Sequence, residues 1–311
     1  MIAEVRTLLS LAWRSFLLPA MLILCALFAV LNVVNTAQVV RNDYALVQHT
    51  KAEYAANHLD FAADLRKPVT VTTNGHEQSV TNLARYDYST MAAATIDISL
   101  TSTVAESLKY FGFLIFPALF FLLGLWMSTS QRRHHVEKAT LVRAGTRRTM
   151  AARQLALVCC AVAILAVVEL VDVVARSIAQ ASLAGEIPFA AFVPLTPPAV
   201  QNPYAQWGVI LLVVLFFGWG GIAVGAFAGV FAIPAIVFVV WDYVIPIFLV
   251  HDPRNWFAVL GHSVFSYNVG FDLTAPIPLA APIALAAVVV VALGLGAFGY
   301  LGIRIRNPLA T

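Results

Sequence analysis

Three carboxylates stand where water is scarce. Glu169, Asp172 and Asp242 each lie inside a long apolar run of the 311-residue chain. Glu169 and Asp172 are three residues apart, which on a helix puts both on one face. A charge at the centre of a bilayer costs about 2.5–3.5 kcal/mol on insertion scales, so it normally faces protein or water. The chemistry open to such a pair is capture of a cation or proton, or lining of a substrate path. Arg176 offers a plainer role, because it sits four residues beyond Asp172 and can form an ion pair near the outer interface. The spacing favours the plainer role. Asp242 is flanked by Trp241 and Tyr243, aromatic residues that also mark interface belts.

Other reactive groups point to no enzyme. A phosphate-binding loop needs Gly-Lys followed by Ser or Thr, and no Gly-Lys pair occurs. Neither a His-Glu-x-x-His pair nor a Gly-x-Ser-x-Gly elbow is present. His134 and His135 are adjacent, so on a helix they point apart and make a poor metal site. His49 and His58 flank a polar helix and read as solvated. Cys25, Cys159 and Cys160 lie in apolar runs and read as small buried hydrophobes. No catalytic residue, metal or cofactor is expected in this chain.

The elements that carry these residues are membrane helices. Hydrophobic residues make up 60% of the sequence and charged ones 11%, against about 25% charged in a soluble domain. About 20 apolar residues cross a bilayer core as a helix. By that measure residues 15–36 form span 1, 110–130 span 2 with a kink at Pro117, and 155–175 span 3. Residues 206–250 carry a single charged side chain, Asp242. At ~1.5 Å per residue they reach ~67 Å, enough for two crossings, so 206–230 is read as span 4 and 231–250 as span 5. Residues 279–303 make span 6.

The connections have their own signals. Residues 1–14 repeat Ile2, Val5, Leu9, Ala12 and Trp13 at helical spacing, which predicts a helix lying on the membrane surface. Residues 37–109 turn polar, and Asn74-Gly75 between two Thr- and Val-rich runs predicts a hairpin. That stretch reads as a small α+β domain outside the bilayer. Residues 131–154 form a basic loop and 176–205 a Pro-rich loop. Residues 251–278 form outer amphipathic helices, with an apolar stripe of Trp256, Phe257, Leu260, Val264 and Phe265, and 304–311 a tail. Gly221, Gly225 and Gly229 recur every four residues in span 4, a spacing that lets helices approach closely, within one chain or between two.

Charge sets an orientation. Eleven of the 19 Lys and Arg residues fall in 1–14, 131–154 and 304–311. The positive-inside rule therefore puts these segments, and both termini, in the cytoplasm. Six spans satisfy that arrangement. The expectation is an all-α polytopic protein of the plasma (inner) membrane. Its small net charge of +3 points to no nucleic acid.

Taken together, six spans, an amphipathic N-terminal helix, a basic loop after span 2 and short outer helices before span 6 resemble type-2 ABC transporter permeases. In that family the loop after span 2 carries a coupling helix that docks on an ATPase, with a Glu, then Gly-Thr-Leu, then a short turn. Here Glu137-Lys138-Ala139-Thr140-Leu141 is followed by Arg143-Ala144-Gly145-Thr146-Arg147-Arg148, with Ala139 in place of the family's Gly. The resemblance implies that Glu137, Thr140, Leu141, Arg143, Gly145, Arg147 and Arg148 couple the chain to a P-loop ATPase. It also implies ATP and Mg on that separate subunit, and a second permease chain, identical or related. The turn also resembles that of macrolide-exporter-like ABC permeases, which have fewer spans and a larger outer domain. An ion-coupled secondary transporter using Glu169, Asp172 or Asp242 is the alternative of another class, although no repeat between halves is visible.

Overall fold

The computed structural model describes residues 1–74, 77–100, 108–133, 137–195, 202–247, 249–265, 273 and 275–306. The side chains of residues 71–78, 133 and 137 lie outside that description. So do His134, His135 and the last five residues. The described chain is almost entirely helical.

The first helix, α1 (Ile2–Arg14), buries Val5, Leu8 and Ala12 and leaves Ile2 and Trp13 exposed, the amphipathic division its spacing predicts. Phe16 turns the chain in the left-handed region (φ 58°) into α2 (Leu17–Ala56). At 40 residues α2 is ~60 Å long, twice the ~30 Å bilayer core. Its apolar first half therefore continues into a polar projecting half without a break. A short α3 (Phe61–Asp64) follows. Strands β1 (Val71–Asn74) and β2 (Glu77–Val80) then pair antiparallel, with Val71 opposite Val80 and Asn74 opposite Glu77. Helix α4 (Leu83–Ile98) starts on Asn82, whose side chain accepts from the Arg85 amide and donates to the Asp64 carbonyl. α4 packs along the projecting half of α2, burying Val40, Val47, Met91 and Ile98 with Leu183 and Phe192. Among the described residues, strand is confined to the two four-residue pieces of the hairpin.

Helix α5 (Phe116–Arg133) is entered through a π-helical turn, Phe111–Ile115. The π turn lies where a kink at Pro117 is expected: Pro117 has no N–H for the Phe113 carbonyl four residues back. Helix α6 (Glu137–Leu183) is broken at Gly145, whose φ of 74° and ψ of 160° are not helical. The expected loop 131–154 is thus helical in nearly all its described residues, and span 3 sits inside a much longer helix. Helix α7 (Pro203–Ala228) ends on Gly229 in the left-handed region (φ 71°). It is followed by α8 (Ala232–Tyr243), α9 (Pro253–Val264) and α10 (Ala281–Arg306).

Among the described residues five helical stretches are long and apolar enough to cross a membrane: α2, Leu108–Arg132, α6, α7 and α10. The expected fifth span, 231–250, is different. Its helix, α8, has 12 residues and covers ~18 Å, short of a full crossing. The chain leaves the helix after Tyr243, and helix resumes only at Pro253.

Glycines set the centre of the bundle. A Cβ on Gly221 would lie 2.0 Å from the Phe121 carbonyl oxygen, and one on Gly124 2.0 Å from that of Gly218. Hence α5 and α7 touch backbone to backbone. Gly225 lies against Ser128 and Leu125 of α5. Gly221 and Gly225 thus pack within the chain, one of the two uses their spacing allows. Gly229 serves instead as the helix cap, with Arg132 and Arg306 closing over it.

Candidate functional site

Three polar constructions interrupt this apolar body. The first is a basic corner where α1, the end of α5 and the start of α6 meet. Residues 137–144 of α6 form a short arm that turns at Gly145 into the long arm 146–183. With φ 74° and ψ 160°, Gly145 occupies a region essentially restricted to glycine. The sequence anticipates a glycine terminator here, though not this extended form of it. Leu141 is 1% exposed and belongs to the main core with Val5, Leu8 and Met150. Val142 on the same arm is 80% exposed. Arg143, Arg147 and Arg148 are exposed, Thr140 is half-buried and Thr146 is buried. Glu137 opens the arm, but its side chain falls outside the description.

A cleft of about 260 Å³ separates α1 from the short arm, lined by Glu4, Thr7, Gln131, Thr140 and Arg143 among others. The Glu4 carboxyl is held below its ordinary range, chiefly by the hydrogen bond from the N-terminal ammonium, with a smaller contribution from Arg143. Behind the arm, Arg153 is fully buried and donates to Gln131 Oε1 at 3.1 Å. That bond ties the start of the long arm to the end of α5. Arg153 escaped sequence reasoning because it looks like one more basic loop residue.

The second construction is the Asp172–Arg176 pair. Arg176 Nε donates to Asp172 at 2.6 Å, and both side chains are 0% exposed. Arg176 also donates to the Asp97 carbonyl, near the end of α4. The i,i+4 pairing joins the two side chains the spacing singles out, but it is not exposed to solvent. The pair is not a solvated interface bridge: it is buried where α6 meets α4. Glu169, one turn earlier, is half-buried.

The third construction surrounds Asp242. α9 begins with Asp252 as cap and Pro253 at its first position, a favoured pairing at a helix start. Asp252 receives both Nε (3.1 Å) and Nη2 (2.7 Å) of Arg254. Nη1 of Arg254 donates to the carbonyls of Trp241, Asp242 and Ile245 at 2.6, 3.1 and 2.7 Å. The guanidinium lies 4.5 Å from the Trp241 ring centroid. One arginine thus caps the end of α8 and is itself held by the start of α9. The Tyr243 hydroxyl donates to the Leu114 carbonyl in the π turn at 2.7 Å. These elements enclose a cavity of about 250 Å³ lined by Phe113, Leu114, Phe217, Asp242, Tyr243 and Phe257, among others. Phe257 and Phe217 are in contact, with centroids 5.6 Å apart. The stripe of α9 therefore faces the bundle rather than an outer membrane surface: Trp256, Phe257 and Leu260 are buried. Neither Glu169 nor Asp172 lines this cavity, so the three carboxylates do not form one site.

A larger groove of about 590 Å³ runs between α2 and α6, lined by Val30, Val34, Leu170 and Val174, with Arg41 at its rim. Its walls are those of a lipid-facing cleft. Among the described residues, no group of His, Cys, Asp and Glu is arranged to hold a metal ion.

No family model matches the chain, and neither the curated proteins nor the solved structures include a match.

Proposed function

We propose that this chain is the membrane-spanning permease subunit of an ABC transporter, an exporter that moves substrate when an ATPase on a separate chain hydrolyses ATP. The observation that carries this reading is the short arm 137–144. It is anchored by Leu141, hinged at Gly145 and presents Val142 outward. An exposed apolar knob on a short helix between two membrane helices is suited to docking in a partner's groove. Displacement of such an arm would pass directly to the long arm of α6, because Gly145 alone separates them. Glu137, Thr140, Arg143, Arg147 and Arg148 would supply polar contacts around the knob. In this reading the basic corner is cytoplasmic, the hairpin end faces outward, and the sixth crossing is shared by α8 and α9. The chain works with a P-loop ATPase that carries ATP and Mg, and with a second permease chain in the plasma membrane.

The test is cross-linking from a cysteine at Val142 in native membranes. The expected product joins the chain to a P-loop ATPase identified by mass spectrometry, and Val142→Asp removes both the product and the associated ATP turnover. Turnover that survives Val142→Asp with the same subunit attached would sink the reading.

A second reading draws on a different observation. The break between α8 and α9, with Asp242 beside it, is the kind of discontinuous helix pair that secondary transporters place around ions. Uptake driven by an ion gradient in vesicles free of ATP would favour it.

A further inference from the structure

We propose that the cavity at the α8–α9 break binds a small organic cation, with Asp242 as its counter-ion. The charges around the cavity do not balance. Among the described residues that line the cavity Arg254 is the one cation, and each of its three nitrogens already donates to Asp252 or to backbone carbonyls. That leaves Asp242, whose carboxylate forms no hydrogen bond or ion pair with any described residue. Among these three side chains the surplus is one negative charge, and it faces the cavity.

The walls select the kind of cation. Phe113, Phe217, Tyr243 and Phe257 line the cavity beside Asp242, and aromatic faces attract organic ammonium groups. Hard metal ions require about six oxygen ligands, and one carboxylate among aromatic rings does not supply them. An anion would meet Asp242 and find every nitrogen of Arg254 already engaged. The volume of about 250 Å³ is about eight times the ~30 Å³ that one water occupies in the liquid, room for a compact ligand.

The fold keeps the site open on purpose-built backbone. The π turn brings the Leu114 carbonyl to the Tyr243 hydroxyl, which fixes the residue next to Asp242. Arg254 fixes the carbonyl of Asp242 itself. The carboxylate is thus held by its backbone and left without a side-chain partner. Binding here does not depend on how transport is driven, so failure of the ATPase reading would leave it standing.

The test uses the purified full chain in lipid nanodiscs and radiolabelled benzyltrimethylammonium. Saturable binding of one cation per chain is expected. Asp242→Asn should weaken it at least about tenfold, since an opposite charge within ~4 Å at an effective dielectric of ~20 is worth more than that. Asp242→Glu should retain binding, and Phe217→Ala should weaken it severalfold. Neopentylbenzene, the neutral compound of the same shape, and benzenesulfonate should not displace the probe. Should Asp242→Asn fail to fold, the competition series on the unaltered chain still decides. Absence of saturable binding, undiminished binding by a folded Asp242→Asn chain, or displacement by the neutral or anionic compound would each overturn the proposal.

Discussion

Among single residues, burial changes what Asp172 is worth. Its pairing with Arg176 was legible from a spacing of four, but the surroundings were not. The second acceptor of the Arg176 guanidinium is the carbonyl of Asp97, 79 residues away, and nothing local announces it. Exposed pairs contribute about 0–1 kcal/mol, whereas breaking a buried one strands a charge at about 3–5 kcal/mol. Asp172→Asn should therefore lower the thermal midpoint in detergent markedly. The double change Asp172→Leu with Arg176→Met should recover much of the loss. Asp87 on α4 gives a pH dependence. It accepts from the Thr50 hydroxyl at 2.5 Å, and burial lifts its carboxyl above the ordinary 3.8, against that hydrogen bond and with help from Glu53. Asp43 lies close enough to repel it. A raised folded value means that the stabilising contribution is complete at acid pH and is lost as pH rises through the folded value. The thermal midpoint should rise as pH falls through that raised folded value, with a smaller rise in Asp87→Asn.

At the scale of elements, the short arm and the broken span repay separate treatment. A glycine stop near 145 could be read from the chain, because few other residues tolerate the backbone it needs. That the described residues of the connection are helical on both sides of Gly145 could not, since Arg-rich segments look alike in loops and helix ends. Gly145→Val should cost about 1–3 kcal/mol, chiefly as backbone strain, because an added Cβ meets no packing neighbour within 4 Å. ATPase stimulation should fall with it, whereas Val142→Asp should abolish stimulation with no change in thermal midpoint. The fifth span is helical over only part of its length for a physical reason. Residues 231–250 are apolar enough to span, but Pro246 denies the helix a donor. Arg254, beyond the apolar run, then caps α8 early at Trp241 and Asp242.

For the whole molecule, composition was sufficient to identify a helical membrane protein, and five helices of crossing length follow. Packing partners were less accessible. The glycine row of α7 signalled a close approach, but its partner, α5, follows only from the fold. Gly221→Leu should disrupt that contact and yield a chain that inserts yet aggregates on gel filtration. Orientation is tested by cysteines at Val142 and Ser79, both exposed. An impermeant reagent outside intact cells should label the second and spare the first.

The clasp over the end of α7 has a further consequence, for the order in which the chain is made. Arg132 reaches the Ala226 carbonyl from α5, and Arg306 reaches Ala228 from the end of α10, 78 residues later. During synthesis α7 emerges with one arginine already waiting and the other still untranslated. Its terminus is half-closed until α10 arrives, so a helix made later latches one of the central two. A ribosome stalled before Arg306 should hold a bundle whose α7 end is open to protease, and release of the full chain should close it.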